Sequence, residues 1–175
     1  KIAQRWYYDQ VEPARADAFD EFYRRTGRQY GFVMPYRCED AEYILVGMGS
    51  YMETAQATVD YLRNKGVRAG CLNIYCFRPF PGERIVQALK HSTAFSVLER
   101  MDDPLSTTGN HLTREIKAAF CDAMLGQNGC ERIDRIPRIY SGCGGLGSRD
   151  VRPGDVIAIF DNMIHEGQDY FCVGV

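Results

Sequence analysis

The chain has 175 residues, enough for one domain with a sizeable core, and its 25% charged and 45% hydrophobic residues are the balance of an ordinary globular protein. A formal net charge of −2, with no long run of one sign, leaves no electrostatic footprint for nucleic acid or an anionic membrane. No apolar stretch approaches the ~18 residues of a spanning helix and no secretory leader is visible, while Lys1 in place of Met marks a chain processed, trimmed or cut from something longer.

Residues 1–40 are aromatic and charged, with Trp6-Tyr7-Tyr8, Pro13 and a helical pattern over Ala14–Arg25. They read as an N-terminal arm or linker that packs against something, and not as the start of a sheet; residues 41–175 read as the α/β domain. AEYILVGMGS (41–50) is a buried strand closing on Gly47-x-Gly49-Ser50, with Ser50 placed to cap the next helix. That helix, YMETAQATVDYLRNKG, sets Ala55, Val59 and Leu62 on one face and ends at Gly66. VRAGCLNIYCF (67–77) is the next strand, stopped by the prolines of RPFPGE. ERIVQALKHS is a short helix, TAFSVLER (93–100) a third buried strand, and MDDPLSTTGN (101–110) a polar loop. HLTREIKAAFCDAML is a long amphipathic helix, and RIPRIYS leads into a glycine loop. RPGDVIAIFDNMIH is a helix with Pro153 in its first turn, and YFCVGV is a last strand. Strand and helix alternate from 41 onward, which predicts a three-layer, mostly parallel sheet flanked by helices.

Seven cysteines, Cys38, Cys71, Cys76, Cys121, Cys130, Cys143 and Cys172, are odd in number and dispersed, unlike a secreted disulfide framework. With no C-x-x-C pair they lack zinc-ribbon and iron–sulfur spacing, and they read as mostly buried free thiols of a reducing cytoplasm. His91, His111 and His165 stand far apart, so no metal site is expected from them.

Two glycine clusters invite a phosphate-binding reading. GMGS (47–50) lies at a strand–turn–helix junction, but Met52 replaces the third glycine, and Asn73, Tyr75 and Cys76 stand where a ribose-binding acid belongs. A tight turn is the expectation there. In YSGCGGLGSRD (140–150), Gly142, Gly144 and Gly147 satisfy G-x-G-x-x-G, yet Ser148-Arg149 replaces the Lys-Ser/Thr of a Walker loop and the next helix starts only after Pro153. The candidate cofactor-binding residues are Gly144, Gly145, Gly147, Ser148 and Arg149, with a close-packed structural turn as the alternative reading. Glu99-Arg100 and Asp102-Asp103 follow a strand's C-terminal end, where α/β proteins hold ligands, but read better as a solvated loop with turn formers. Neither Ser50 nor Ser141 has the G-x-S-x-G setting of a hydrolase nucleophile.

Read together, EFYRRTGRQYG (21–31), EDAEYILVGMGSYMETAQATVDYLRNKG (39–66), VRAGCLNIYCFRPFP (67–81), FSVLER, GCGGLGSRDVRPGDVIAIFDN (142–162) and DYFCVGV resemble the second domain of the pyruvate:ferredoxin (2-oxoacid:acceptor) oxidoreductase family. The resemblance covers about residues 20–175, and GMGSYMETA followed by GGLGSRD is its most specific part. It implies the fold of a transketolase C-terminal domain within a large, dimeric, multidomain enzyme of anaerobic metabolism. The parent reaction it implies is oxidative decarboxylation of a 2-oxoacid with coenzyme A to acyl-CoA and CO2, with electrons passed to ferredoxin or flavodoxin. Thiamine diphosphate, Mg2+, [4Fe-4S] clusters and coenzyme A would be held by other domains or subunits, which are the implied partners. No cofactor is expected in this chain and no catalytic role passes to any residue in it.

One departure bears on the substrate. ERMDDPLSTTGNHL (99–112) keeps Glu99, Arg100, Asp103, Pro104, Gly109 and Leu112 of the family's pattern but lacks its Lys-Glu-Pro-Gly core, so pyruvate is the default and another 2-oxoacid the alternative. Two rival expectations are a free-standing coenzyme A or phosphate-binding module, and a small subunit that completes a thiamine diphosphate site on assembly. A domain cut from a large enzyme should keep apolar surface around Trp6, Tyr7, Tyr8 and Phe32.

Overall fold

The computed structural model describes residues 1–174. In chain order it contains α1 (Ile2–Asp9), α2 (Val11–Thr26), β1 (Val33–Tyr36), β2 (Tyr43–Gly47), α3 (Tyr51–Asn64), β3 (Ala69–Ile74) and α4 (Gly82–Leu89). There follow β4 (Ala94–Glu99), α5 (His111–Leu125), β5 (Arg138–Gly144), a single 3-10 turn (Leu146–Ser148), α6 (Pro153–Ile164) and β6 (Tyr170–Val173). The strands form one sheet in the order β1-β3-β2-β4-β5-β6, parallel throughout except where β1 runs antiparallel to β3. This is the mostly parallel, helix-flanked α/β architecture that the alternation of elements predicts.

The central strands are buried on both faces because every crossover lays a helix on the sheet. All six residues of β3 and all six of β4 are buried, as near-continuous apolar runs require. α4 and α5 cover one face, where Phe95 and Phe120 stack with ring centroids 5.4 Å apart. α5 buries Leu112, Ile116, Ala119, Phe120 and Ala123 at helical spacing and ends at Gly126 in the left-handed region (φ 65°). α3 and α6 cover the other face, the first through Ala55, Val59 and Leu62, the second through Val156, Ile159, Phe160 and Met163.

Four expectations need correction. The stretch 1–40 does reach the sheet: Val33–Tyr36 is an edge strand paired with Cys71–Ile74. Ser50 occupies the N-cap position of α3 but its side chain makes no capping bond, because its backbone is already helical (φ −64°, ψ −29°) and turns the hydroxyl away from the orphan amides. The strand before the glycine loop runs on through Gly142, Cys143 and Gly144, so half of that loop is sheet. Phe32 is buried, edge-on to Phe19 and beneath the Arg84 guanidinium, so it belongs to the seam between the arm and the sheet.

The arm is two helices. α1 and α2 bury no residue fully, and Trp6, Tyr7 and Tyr8 are 65%, 67% and 67% exposed. α2 stops at Gly27 (φ 70°), whose amide bonds the Tyr23 carbonyl, so the TGR of the sequence is a helix terminator. Phe120→Ala should lower the unfolding free energy by about 3–5 kcal/mol through the cavity it opens beside Phe95, whereas Trp6→Ala should change it by less than about 0.5 kcal/mol. Urea midpoints of the two variants measure both.

Candidate functional site

In an open parallel sheet, ligands bind at the carboxyl ends of the strands where the strand order reverses. Here β2 is followed on one side by β3 and on the other by β4, so the reversal lies between the chain leaving β2 at Gly47 and the chain leaving β4 at Glu99. That crevice is closed by the protein itself. The Tyr51 hydroxyl donates to the Leu98 carbonyl at 2.6 Å and accepts from the Met48 amide at 3.1 Å. A Cβ at Gly47 would collide with the Tyr51 phenol, so glycine here serves a side chain, where a phosphate loop would use it to admit a pyrophosphate. Burial pushes the phenol's pKa up, which keeps it a neutral donor. What remains is a small cleft of about 310 Å³ lined by Met48, Phe77, Leu98, Met101 and Leu112 together with Arg100 and His111.

The glycine loop lies one strand further along. A Cβ at Gly144 would come 2.8 Å from Val173 Cγ2, and one at Gly145 would come 2.9 Å from Arg100 Nε. Gly145, Gly147 and Ser148 all have positive φ (67°, 62° and 63°), which winds the chain into the tight 3-10 turn. Arg100 Nη2 donates to the carbonyls of Gly145 (3.1 Å) and Arg149 (3.3 Å), and Arg149 Nη1 donates to the Gly174 carbonyl (3.1 Å). Both arginines are thus held by the chain's own carbonyls. Of Gly142, Gly144, Gly145 and Gly147, the last alone has open space where a Cβ would stand. The hollow beside the loop joins Ser148, Arg149, Asp150, Arg152 and Asp155, and its two carboxylates offset its two guanidinium groups. The start of α6 carries its own acid: Asp155 Oδ2 accepts from the Arg152 amide at 2.8 Å.

A third feature was not legible as a site. Glu99 is buried, and its carboxylate accepts from the Leu112 amide (2.7 Å), the Thr113 amide (3.0 Å) and the Thr113 hydroxyl (3.0 Å). A charged side chain from the end of β4 therefore caps α5 and meets the positive end of its dipole. This corrects the reading of Glu99 as part of a solvated loop; burial without these donors would be too costly for a carboxylate. Thr113 Oγ1 continues the network to Ser141 Oγ at 2.9 Å. Asn110, fully buried just before the helix, spends its carboxamide on the 101–110 segment, accepting from Asp103 N (3.0 Å) and donating to Met101 O (2.8 Å). Asp103 pairs with Arg114 at 3.2 Å and Asp102 takes the Tyr170 hydroxyl.

Chemically, the strand ends present acceptors and donors that are already matched to each other. Among the described residues no three His, Cys, Asp or Glu side chains converge as a metal would need. The glycines are backed from within by Val173 and Arg100, and this filling does not fit the open cradle that a pyrophosphate of thiamine diphosphate or coenzyme A demands. The scattered cysteines do not form the quartet of an iron–sulfur cluster. Glu99→Gln should destabilise the protein by about 1–3 kcal/mol, because a neutral amide loses the charge-assisted bonds and turns a donor toward amides. Asp103→Asn, on a partly exposed pair, should cost less than about 1 kcal/mol. Chemical denaturation of the two variants separates them.

Comparison with known proteins identifies the family. The family described as pyruvate:ferredoxin oxidoreductase core domain II matches residues 41–156. The chain is 33% identical over 174 residues to a pyruvate-flavodoxin oxidoreductase of Nostoc sp., covering 97% of this chain and 14% of that protein. It is 37% identical over 136 residues to pyruvate synthase subunit PorA of Methanothermobacter thermautotrophicus, covering 78% of this chain and 31% of that subunit. The chain therefore spans a small part of the length of these relatives. Among solved structures, 2-oxoglutarate:ferredoxin oxidoreductase from Magnetococcus marinus superposes with a TM-score of 0.51 at 17% identity, over 78% of this chain and 20% of that one, which supports the fold alone. With the α/β sheet and a match over most of its length, the chain belongs to the pyruvate:ferredoxin oxidoreductase core domain II family.

Proposed function

We propose that this chain serves as a structural and interface domain of a 2-oxoacid:ferredoxin oxidoreductase, with pyruvate as the default substrate. The parent enzyme would oxidatively decarboxylate the 2-oxoacid with coenzyme A, giving acyl-CoA and CO2 and passing electrons to ferredoxin or flavodoxin. The observation that supports a non-catalytic role is the sheet's carboxyl edge. Tyr51 fills the crevice at the strand reversal, Glu99 is consumed as a helix cap, and Arg100 and Arg149 are bonded to main-chain carbonyls. Thiamine diphosphate, Mg2+, [4Fe-4S] clusters and coenzyme A then belong to other domains or subunits of a dimeric parent in the cytoplasm.

Under this reading Gly144, Gly145, Gly147, Ser148 and Arg149 form a structural turn, and the arm of residues 1–40 offers its exposed aromatic side chains to neighbouring parts of the enzyme. Trp6, Tyr7 and Tyr8 are the residues most open to such contact. The separately named PorA subunit among the relatives supports either covalent linkage to further domains or assembly with further subunits.

The test is a steady-state assay of the full-length enzyme with pyruvate, coenzyme A and a viologen dye as electron acceptor. Ser148→Ala and Arg149→Ala should leave kcat and the KM for coenzyme A within about twofold of the parent. A rise of about tenfold in that KM with kcat unchanged would place the glycine turn in coenzyme A binding and overturn the structural reading.

A further inference from the structure

Two cysteines meet across the last strand pair. Cys143 of β5 and Cys172 of β6 are register partners in a parallel ladder, with Ser141 opposite Tyr170 two residues earlier. Side chains alternate along a strand, so Ser141, Cys143, Tyr170 and Cys172 share one face, while Tyr140, Phe171 and Val173 pack on the face of α3 and α6. Neighbouring strands lie about 4.8 Å apart, inside the window of roughly 4.4–6.8 Å between Cα atoms that a disulfide spans. Both cysteines are free thiols, Cys143 buried and Cys172 exposed.

From this geometry we propose that Cys143 and Cys172 are a reversible modification site, closing to a cross-strand disulfide when a hydroperoxide oxidises the exposed thiol. In the first step the Cys172 sulfur attacks the peroxide O–O bond; it becomes a sulfenic acid and one oxygen leaves as water or an alcohol. In the second, the Cys143 sulfur attacks the Cys172 sulfur, the S–O bond breaks, and the hydroxyl leaves as water with the proton Cys143 gives up. An external dithiol reverses the bond by exchange, ending as a disulfide itself while both cysteines return to thiols.

The placement divides the labour. Cys172 meets the oxidant because it is exposed on an edge strand, and Cys143 resolves the sulfenic acid because it is the register neighbour and sheltered from other reagents. β6 has only four residues and one neighbouring strand, so it is free to make the small closing movement that the bond requires. The lone exposed thiol of Cys121, on α5, has no such partner among the described residues and provides an internal control.

The Cys143 thiol is pushed up to about 11, first by burial and then by the neighbouring Cys172 thiol, with Tyr170 on β6 and Asp102 on the segment after β4 acting on the same group. A raised pKa means the sulfur stays protonated at neutral pH, so closure accelerates as the solution is made alkaline toward that value.

The experiment uses full-length protein purified under argon in the reduced state, exposed to hydrogen peroxide, and digested without reduction after the remaining thiols are alkylated in urea. The expected product is a peptide carrying Cys143 joined to a peptide carrying Cys172, lighter by two hydrogens, lost on treatment with dithiothreitol and absent from Cys172→Ser protein. Formation at pH 9 should exceed that at pH 7 by about tenfold or more. Cys121 should instead carry a sulfinic or sulfonic acid, or the alkylating group. A sulfinic acid on Cys172 with Cys143 fully alkylated would overturn the proposal, as would Cys172 bridged to a second protein molecule.

Discussion

The joint on which this domain depends is a carboxylate placed against a helix. Glu99 ends β4, and its two oxygens hold the first turn of α5 and the hydroxyl of Thr113. Thr113 in turn reaches Ser141 in β5, so one buried charge connects two neighbouring strands to the helix that covers them. The orphan amides of a helix N-terminus and an ionised acid are each costly to bury alone; together they satisfy one another. Asn110, immediately before α5, is released from capping and instead pins the polar segment between β4 and α5 through Asp103 and Met101. The position of that segment over the carboxyl ends of the strands follows from this arrangement.

The same economy of groups explains why a fold known for binding ligands at its strand ends shows no ready ligand cradle there. The residues that a nucleotide site would turn outward are turned inward. The Tyr51 phenol lies over Gly47, and the Arg100 guanidinium lies over Gly145. Two short glycine motifs with the spacing of phosphate loops are thus close approaches between side chain and backbone. Spacing records that a Cβ is forbidden; it does not record what occupies the space.

Much of the fold was legible because its signals are local. The apolar runs of β3 and β4, the helical spacing of α5 and α6, and Pro153 at the start of α6 read directly as elements. α1 was not, since it is only eight residues long, buries none of them and has no side-chain cap at its start. β1 was not, because its four residues include Pro35 and their only partner is a strand far along the chain. The Glu99 cap lies 13 residues before Leu112, whose amide it holds, outside the short window in which a capping signature is recognised. The Cys143–Cys172 neighbourhood depends on β6 pairing in one register, which residue types alone do not determine. At the site, the glycine spacing drew attention to the right place, but the side chains that fill it come from other elements.

The antiparallel strand at the sheet's edge has a consequence for how larger assemblies can use this domain. The Phe32 carbonyl accepts from the Tyr75 amide, so even-numbered positions of β1 point their main-chain groups at β3, while Val33 and Pro35 point theirs away. Proline lacks the amide proton that an incoming strand would seek, and the outward row of donors is broken at its centre. The opposite margin, β6, is only four residues long. The β1 border is a poor template for continuing the sheet into a neighbour. Strand addition is discouraged on that side, which leaves the helical faces and connecting loops next to β1 as the surface a neighbour can meet there.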